Sequence, residues 1–378
     1  MTTVEAGNRP YPAIYQEIGV RPIINGRGAT TAVGGTLMHP AVSAAMADAA
    51  GAFVVLEDLN ARVGERIAEL TGMPAGYVTS GSAAGMALAT AACITGRDPE
   101  RIDRLPDTEG MANEIIVHRA HRINYDQMLR AAGGRMVEIG TPEHTEPREL
   151  EEAITDRTAA VFYVDSRHTA SGALDFPTVV AIARARNVPV IVDAASTVPP
   201  IDHLHRWGRW GADLVIFSGG KGIRGPQDSG MLAGRADLIA AARANGNPHA
   251  AIGRGMKVSK EAMAGLWRAI DIFLATDHDA EYRAHLAEAE RLAAALAAHP
   301  AFAPWLEADW EDWPAPVVRI VPADGAAWSP AKMQAALLAY EPSIHIDVFR
   351  GGLMVSTHCL LPGQEETIAW ALIETVSG

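Results

Sequence analysis

Between residues 76 and 235 the chain repeats one pattern: a short run of apolar, often β-branched residues, then a segment whose apolar residues fall at helical spacing. The runs are GYVTS, NEIIVH, RMVEI, AAVFYVD, VPVIVD, DLVIFS and SGMLAG, and the helical segments include Ser82–Thr95, Asn124–Ala132, Phe176–Asn187 and Arg235–Ala244. A strand solvated on one face alternates apolar and polar residues, whereas a run that is apolar throughout is buried on both faces. Such strands, separated by helices, predict an α/β chain with a mostly parallel seven-stranded sheet covered on each side. In sheets of this kind ligands bind at the carboxyl ends of the strands, so polar residues there are the candidates for chemistry.

Beyond residue 250 the pattern changes. A glycine-rich connector, NGNPHAAIGRGMKVSK, leads into a long helical stretch from Glu261 to His299, followed by PVVRIVP, a helix near Pro330–Ala339, SIHIDVF, LMVST and a last helix from Gly363 to Val376. That is a small α+β lobe. A chain of 378 residues exceeds what a single core normally serves, which also points to two lobes. The expected division is an N-terminal segment, 1–45, packing on the small domain or on a partner, a large domain, 46–250, and a small C-terminal domain, 251–378. No internal repeat or low-complexity tract interrupts this.

With a net charge of −13 the chain opposes a phosphate backbone, so no nucleic-acid partner is expected. Cys93 and Cys359 are far apart, with neither C-x-x-C nor Cys/His spacing, so no disulfide framework and no metal site is expected. No run of about 18 apolar residues is present to cross a membrane, and the N-terminus lacks a basic region followed by an apolar one; a cytoplasmic protein is expected.

Three strand ends carry polar residues of different kinds. In YVTSGSAAG (Tyr77–Gly85) a strand runs through a Ser/Gly turn into a helix, presenting free N–H groups and hydroxyls that suit a phosphate; an ordinary helix cap has the same appearance. VPVIVD ends in Asp193, either a solvated turn residue or the partner of a cation in the crevice. VIFSGGKGIRGPQDSG (Val215–Gly230) sets Ser218 and Lys221 among glycines directly after a strand, a setting that a solvated lysine does not need. Lysine is rare in this chain, occurring at Lys221, Lys257, Lys260 and Lys332. A phosphate cradle, a strand-end carboxylate and a strand-end lysine are the parts that pyridoxal phosphate requires: an amine for the Schiff base, a carboxylate beside the pyridine nitrogen and a phosphate site. On this reading Lys221 is the Schiff-base lysine, and the glycines let the cofactor approach.

In order and wording these segments resemble the fold-type-I pyridoxal phosphate enzymes, and within them the selenocysteine synthase-like group that includes D-glucosaminate-6-phosphate ammonia lyase. The resemblance is carried by RPIINGRGATTAVGG (Arg21–Gly35), LTGMPAGYVTSGSAAGMALATAA (Leu70–Ala92), VPVIVDAAS (Val188–Ser196), FSGGKGIRGPQDSGMLAGR (Phe217–Arg235) and IGRGMKVSKEAMAGL (Ile252–Leu266). The first segment and GMKVSKE resemble the ammonia-lyase branch more than selenocysteine synthase. Selenocysteine synthases carry an additional N-terminal domain for tRNA, whereas this acidic chain begins close to its catalytic segment, which again speaks against a tRNA substrate.

The resemblance implies that Ser80, Gly81 and Ser82 hold the cofactor phosphate together with Ser218, that Asp193 pairs with the ring nitrogen and that Lys221 carries the cofactor. It also implies a ring-stacking residue just after NEIIVH, for which His121 is preferred to His118; in a chain with 13 histidines either is otherwise an ordinary surface or core residue. Arg254 and Lys257 of the connector are candidates to complete the phosphate site of a neighbouring subunit in a homodimer or larger homo-oligomer, or else they make surface contacts only. Arg27 and Arg350 are candidates for a substrate carboxylate.

The implied activity is a carbon–nitrogen lyase that removes the α-proton of an amino acid or amino-sugar acid and expels a β-substituent, giving a 2-oxo acid and ammonia. Racemisation, epimerisation or β-replacement begins with the same deprotonation and stands as the alternative. A non-catalytic binding protein is disfavoured by the assembled set of Lys221, Asp193 and the phosphate loop.

Overall fold

The computed structural model describes residues 12–166, 169–310 and 315–377. Residues 1–11 of the expected N-terminal segment lie outside the described residues. The chain divides into two compact units, one formed by residues 38–275 and the other by the N-terminal residues up to Leu37 together with 276–378.

In the first unit all seven expected strands form: β1 (Ala75–Thr79), β2 (Glu114–His118), β3 (Arg135–Ile139), β4 (Thr158–Val164), β5 (Val190–Asp193), β6 (Leu214–Ser218) and β7 (Gly230–Gly234). They lie in the order β1-β7-β6-β5-β4-β2-β3. Only β7 runs against its neighbours, and every other pairing is parallel. The continuous apolar runs are explained by burial on both faces. Val190, Val192, Val215 and Phe217 enter one core with the helices Leu56–Thr71, Phe176–Ala185 and Lys260–Ala275. Their neighbours Ile191, Leu214 and Ile216 enter the other, with the helices Ser82–Thr95 and Ala236–Asn245. Each such side chain removed from water contributes about 1.5–3 kcal/mol.

The boundaries fall elsewhere than 45/46 and 250/251. The helix Pro40–Ala50 belongs to the large unit because it packs on the helix Lys260–Ala275, so closely that a Cβ on Gly265 would lie 2.8 Å from the Met46 side chain. The connector stays with the large unit too, where Gly253 N–H donates to the Asn245 carbonyl at 2.8 Å. The helical stretch expected from Glu261 to His299 is two helices, Lys260–Ala275 and His278–Ala297. Asp277 caps the second, its Oδ1 accepting from Ala280 N–H at 2.9 Å, and the unit boundary falls at that break.

The second unit holds an antiparallel sheet of β8 (Phe302–Glu307), β9 (Val317–Pro322), β10 (Asp347–Phe349) and β11 (Gly352–Ser356), in the order β10-β11-β9-β8. Its core includes Leu292, Leu296, Val318, Ile320, Ile368 and Leu372. SIHIDVF is not one strand: Ile344–His345 leaves this sheet and pairs in parallel with Ile24–Asn25. That pairing ties the part of the N-terminal segment around Ile24–Asn25 to the smaller unit, whereas the segment from Met38 on belongs to the large one. Among the described residues no helix is long and apolar enough to cross a membrane.

Candidate active site

The Ser/Gly turn after β1 leads into the helix Ser82–Thr95, which is buried along most of its length. Gly81, at φ +86°, is the N-cap, and no side chain caps the helix; Thr79 Oγ1 donates to the Gly81 carbonyl at 2.9 Å. The first amide bonded within the helix is that of Gly85, to the Gly81 carbonyl at 3.1 Å, so the preceding N–H groups of the first turn are open to an anion. In the sheet Gly230 of β7 pairs with both Thr79 of β1 and Ser218 of β6. The register thus brings the Ser80–Ser82 turn and Ser218 to the same end of the two strands that flank β7.

Asp193 closes β5 and is 8% exposed. Its Oδ1 accepts from Ala195 N–H at 3.0 Å. Burial pushes its pKa above the usual carboxylate range, with the nearby Asp165 charge adding to the rise and the Ala195 amide and Lys221 opposing it. Lys221 lies in the loop between β6 and β7, and burial lowers its pKa, against the attraction of Asp193. Both shifts favour the neutral forms, as required of a lysine that must act as a nucleophile and base.

The glycines around Lys221 have a structural reason. Gly219 N–H donates to the Ser229 carbonyl at 2.9 Å and Gly225 N–H returns to the Gly219 carbonyl at 2.8 Å, folding the loop on itself. A Cβ on Gly222 would lie 1.9 Å from the Val198 carbonyl oxygen. The lysine loop therefore lies directly against the segment that follows Asp193.

At the end of β2, His118 and His121 are both buried, with ring centroids 5.3 Å apart. His121 Nδ1 accepts from the Val164 amide at 3.3 Å, which leaves the proton on Nε2, and its ring meets Tyr163 edge-on at 4.4 Å. Val164 is in turn the sheet partner of Asp193. Burial lowers the pKa of His121 to about 3 and that of His118 to about 4, so both rings are neutral at ordinary pH. Neither nitrogen of His118 has a hydrogen-bond partner among the described residues.

The remaining candidates lie on other elements. Arg254 and Lys257 are exposed on the connector, with Arg254 Nη1 donating to Asn247 Oδ1 at 3.4 Å. Arg27 and Arg350 belong to the smaller unit. There Arg27 Nε pairs with Asp347 Oδ1 at 2.7 Å, and Arg350, at φ +49°, lies over the Phe349 ring. Among the described residues no group of three or more His, Cys, Asp or Glu is arranged to hold a metal ion.

Two residues missed by the sequence reading adjoin the site. Asp165 follows β4, its amide donating to the Asp193 carbonyl at 2.9 Å, and its carboxylate is paired with Arg206. The signal was available: AAVFYVD ends in an acid just as VPVIVD does.

A family model for L-seryl-tRNA selenium transferase (SelA) matches residues 24–299. A 5′-C-glycyluridine monooxygenase-decarboxylase from a Streptomyces species is 38% identical over 376 residues, 95% of this chain and 91% of that protein. The D-glucosaminate-6-phosphate ammonia lyase of Salmonella typhimurium is 38% identical over 292 residues, 76% of each chain. A solved structure of a D-glucosaminate-6-phosphate ammonia-lyase superposes with a TM-score of 0.84 at 32% identity, covering 97% of this chain and 99% of that one. A structure of SPT with PLP, at TM-score 0.59 and 15% identity over 90% of this chain and 86% of that one, is similar in fold alone.

Proposed function

From a chain that belongs to the L-seryl-tRNA selenium transferase family and has the fold of the type I pyridoxal phosphate enzymes, we propose a pyridoxal phosphate-dependent carbon–nitrogen lyase of the ammonia-lyase type. It removes the α-proton of an amino acid or amino-sugar acid and expels the β-substituent with its bonding electrons, and water then hydrolyses the released enamine, through its imine, to a 2-oxo acid and ammonia. The observation that carries this reading is the half-buried Lys221, electrostatically coupled to the buried Asp193, at the same sheet end as the open helix terminus after Ser80.

The residues present fit the cofactor. The first-turn amides of the helix Ser82–Thr95, with the hydroxyls of Ser80, Ser82 and Ser218, are donors suited to its phosphate. Asp193 is a buried acid suited to a cationic ring nitrogen. When bound, pyridoxal phosphate supplies a carbon that forms a Schiff base with an amine and a ring that accepts electrons from the substrate α-carbon. Asp193 would hold the proton at the ring nitrogen. Lys221 Nζ would take the α-proton and pass a proton to the departing β-substituent. His121, the preferred ring-stacking candidate, is neutral and does not act as an acid near neutral pH. The substrate-carboxylate role of Arg27 and Arg350 rests on the family resemblance, and a rise in KM for Arg27→Gln or Arg350→Gln tests it.

A second reading has its own support, since the monooxygenase-decarboxylase relative aligns over nearly the whole chain at 38% identity. Oxygen-dependent loss of carbon dioxide then replaces elimination. The holoenzyme is to be incubated with D-glucosaminate 6-phosphate and with 5′-C-glycyluridine, in air and without oxygen. Ammonia and a 2-oxo acid formed equally in both atmospheres support the lyase; oxygen uptake with carbon dioxide release supports the second reading. A protein that carries no visible absorbance bleached by borohydride overturns both, and Lys221→Ala is expected to lose that absorbance.

The same reading includes a homodimer. Phe53, at 103% exposure, is followed by the exposed Val54 and Val55, a run of apolar surface that suits contact with a second copy. Arg254 or Lys257 of one copy then completes the phosphate site of the other.

A further inference from the structure

Arg206 and Asp165 form an ion pair next to Asp193, and the proposed lyase step uses neither. Arg206 lies on the helix Asp202–Trp210, and its guanidinium stacks over Trp207 at 4.8 Å and near Trp210 at 6.0 Å from the ring centroids. The Trp207 ring is itself packed edge-on between Phe176 at 4.9 Å and Trp210 at 5.4 Å. Arg206 Nη2 bonds Asp165 Oδ2, while Arg206 Nε is buried without a partner among the described residues. The side chains are 18% and 23% exposed, so water screens this pair less than it screens a surface pair. Two consecutive parallel strands, β4 and β5, therefore each carry an acid at the same end; the bond from Asp165 N–H to the Asp193 carbonyl joins their backbones, and the Asp165 charge acts on Asp193.

A neighbouring negative charge disfavours the ionisation of a buried carboxylate such as Asp193. We propose that Arg206 is a positioning residue that neutralises Asp165, so that Asp193 alone meets the cofactor ring nitrogen as a carboxylate. This rests on the pyridoxal phosphate reading above. The burial that raises the Asp193 pKa is reinforced by Asp165, and the ion pair sets the Arg206 charge against that of Asp165. The other groups around Asp193 are Lys221, from the β6–β7 loop, and the Ala195 amide. His203, on the same helix as Arg206, is engaged with the Thr197 carbonyl at 2.6 Å, and His121 is held neutral.

The test is the dissociation constant of pyridoxal 5′-phosphate from full-length protein, followed by fluorescence between pH 5 and 8. Wild-type protein that fails to bind the cofactor removes the reading on which the inference rests. If wild type binds, Arg206→Gln is expected to weaken binding about tenfold near neutral pH and to move the acid limb of the profile up by about one unit, since one unit of pKa is a tenfold effect. Arg206→Lys, which keeps the charge, is expected to stay within about threefold of wild type, and Asp165→Asn/Arg206→Gln to recover the wild-type limb. A limb unmoved by Arg206→Gln, or a double variant no better than the single, overturns the inference. Should Arg206→Gln not fold, Asp165→Asn decides alone: binding at least as tight as wild type supports the inference, and tenfold weaker binding refutes it.

Discussion

Gly230 stands so close to Gly81 that a Cβ added to Gly230 would lie 2.6 Å from the Gly81 carbonyl carbon and 2.7 Å from Thr79 Oγ1. The atoms it would strike are mainly backbone, and that backbone is the turn opening the helix Ser82–Thr95. The turn therefore owes its place to the absence of a side chain on the neighbouring strand. Gly230→Ala must displace it, at a strain of about 1–3 kcal/mol. Cofactor affinity is expected to fall 10- to 100-fold while the far-ultraviolet circular dichroism is unchanged. Titration of the variant with pyridoxal 5′-phosphate checks this, and wild-type affinity would show that the turn does not hold the phosphate.

Asp193→Asn keeps the shape of the β5 terminus and the acceptor for Ala195 N–H but removes the charge. An amide cannot hold the ring-nitrogen proton as a carboxylate does. Turnover is expected to fall by orders of magnitude with cofactor still bound, which absorbance and steady-state kinetics on the same sample check. An unchanged rate excludes Asp193 from that role.

The buried histidines predict acid sensitivity with a definite sign. His118 titrates near 4 and His121 near 3 in the folded chain, against 6.5 for an ordinary histidine. Below pH 6.5 the unfolded chain therefore binds more protons, and stability falls as pH drops from 6.5 towards 4 for His118 and on towards 3 for His121. Above 6.5 these residues add no pH dependence. At pH 5 the His118 contribution is roughly 2 kcal/mol. His118→Phe is expected to make the loss between pH 7 and pH 5 shallower by about that amount in urea titrations, and an identical slope counts against the prediction.

Mixing two inactive chains tests the shared site. Lys221→Ala and Arg254→Ala/Lys257→Ala, denatured together and refolded, are expected to regain part of the wild-type activity, because one site of each heterodimer contains only intact groups. If each site is built within one chain, every site stays defective, and no recovery appears in heterodimers verified by differential tagging.

The sequence by itself determined that the large unit is an α/β sheet buried on both faces, because continuous apolar runs such as Val190–Val192 and Leu214–Phe217 have no other low-energy arrangement. It also determined that Asp193 and Ser218 lie at strand ends, since each directly follows such a run, and that Lys221 lies in the loop just beyond one. Local chemistry suffices for statements of that kind. Only the tertiary structure decided which strands are neighbours, and hence that Asp165 bonds to the Asp193 backbone and that Arg206, 41 residues further on, pairs with it. It also decided that Ile24–Asn25 pairs with Ile344–His345, that the connector folds back on the large unit and that Gly222 and Gly230 must lack side chains. A glycine in a sequence states permission for close approach without naming what approaches, and an ion pair between distant residues leaves no local period. Both are set by packing, which brings together groups whose separation along the chain carries no signal.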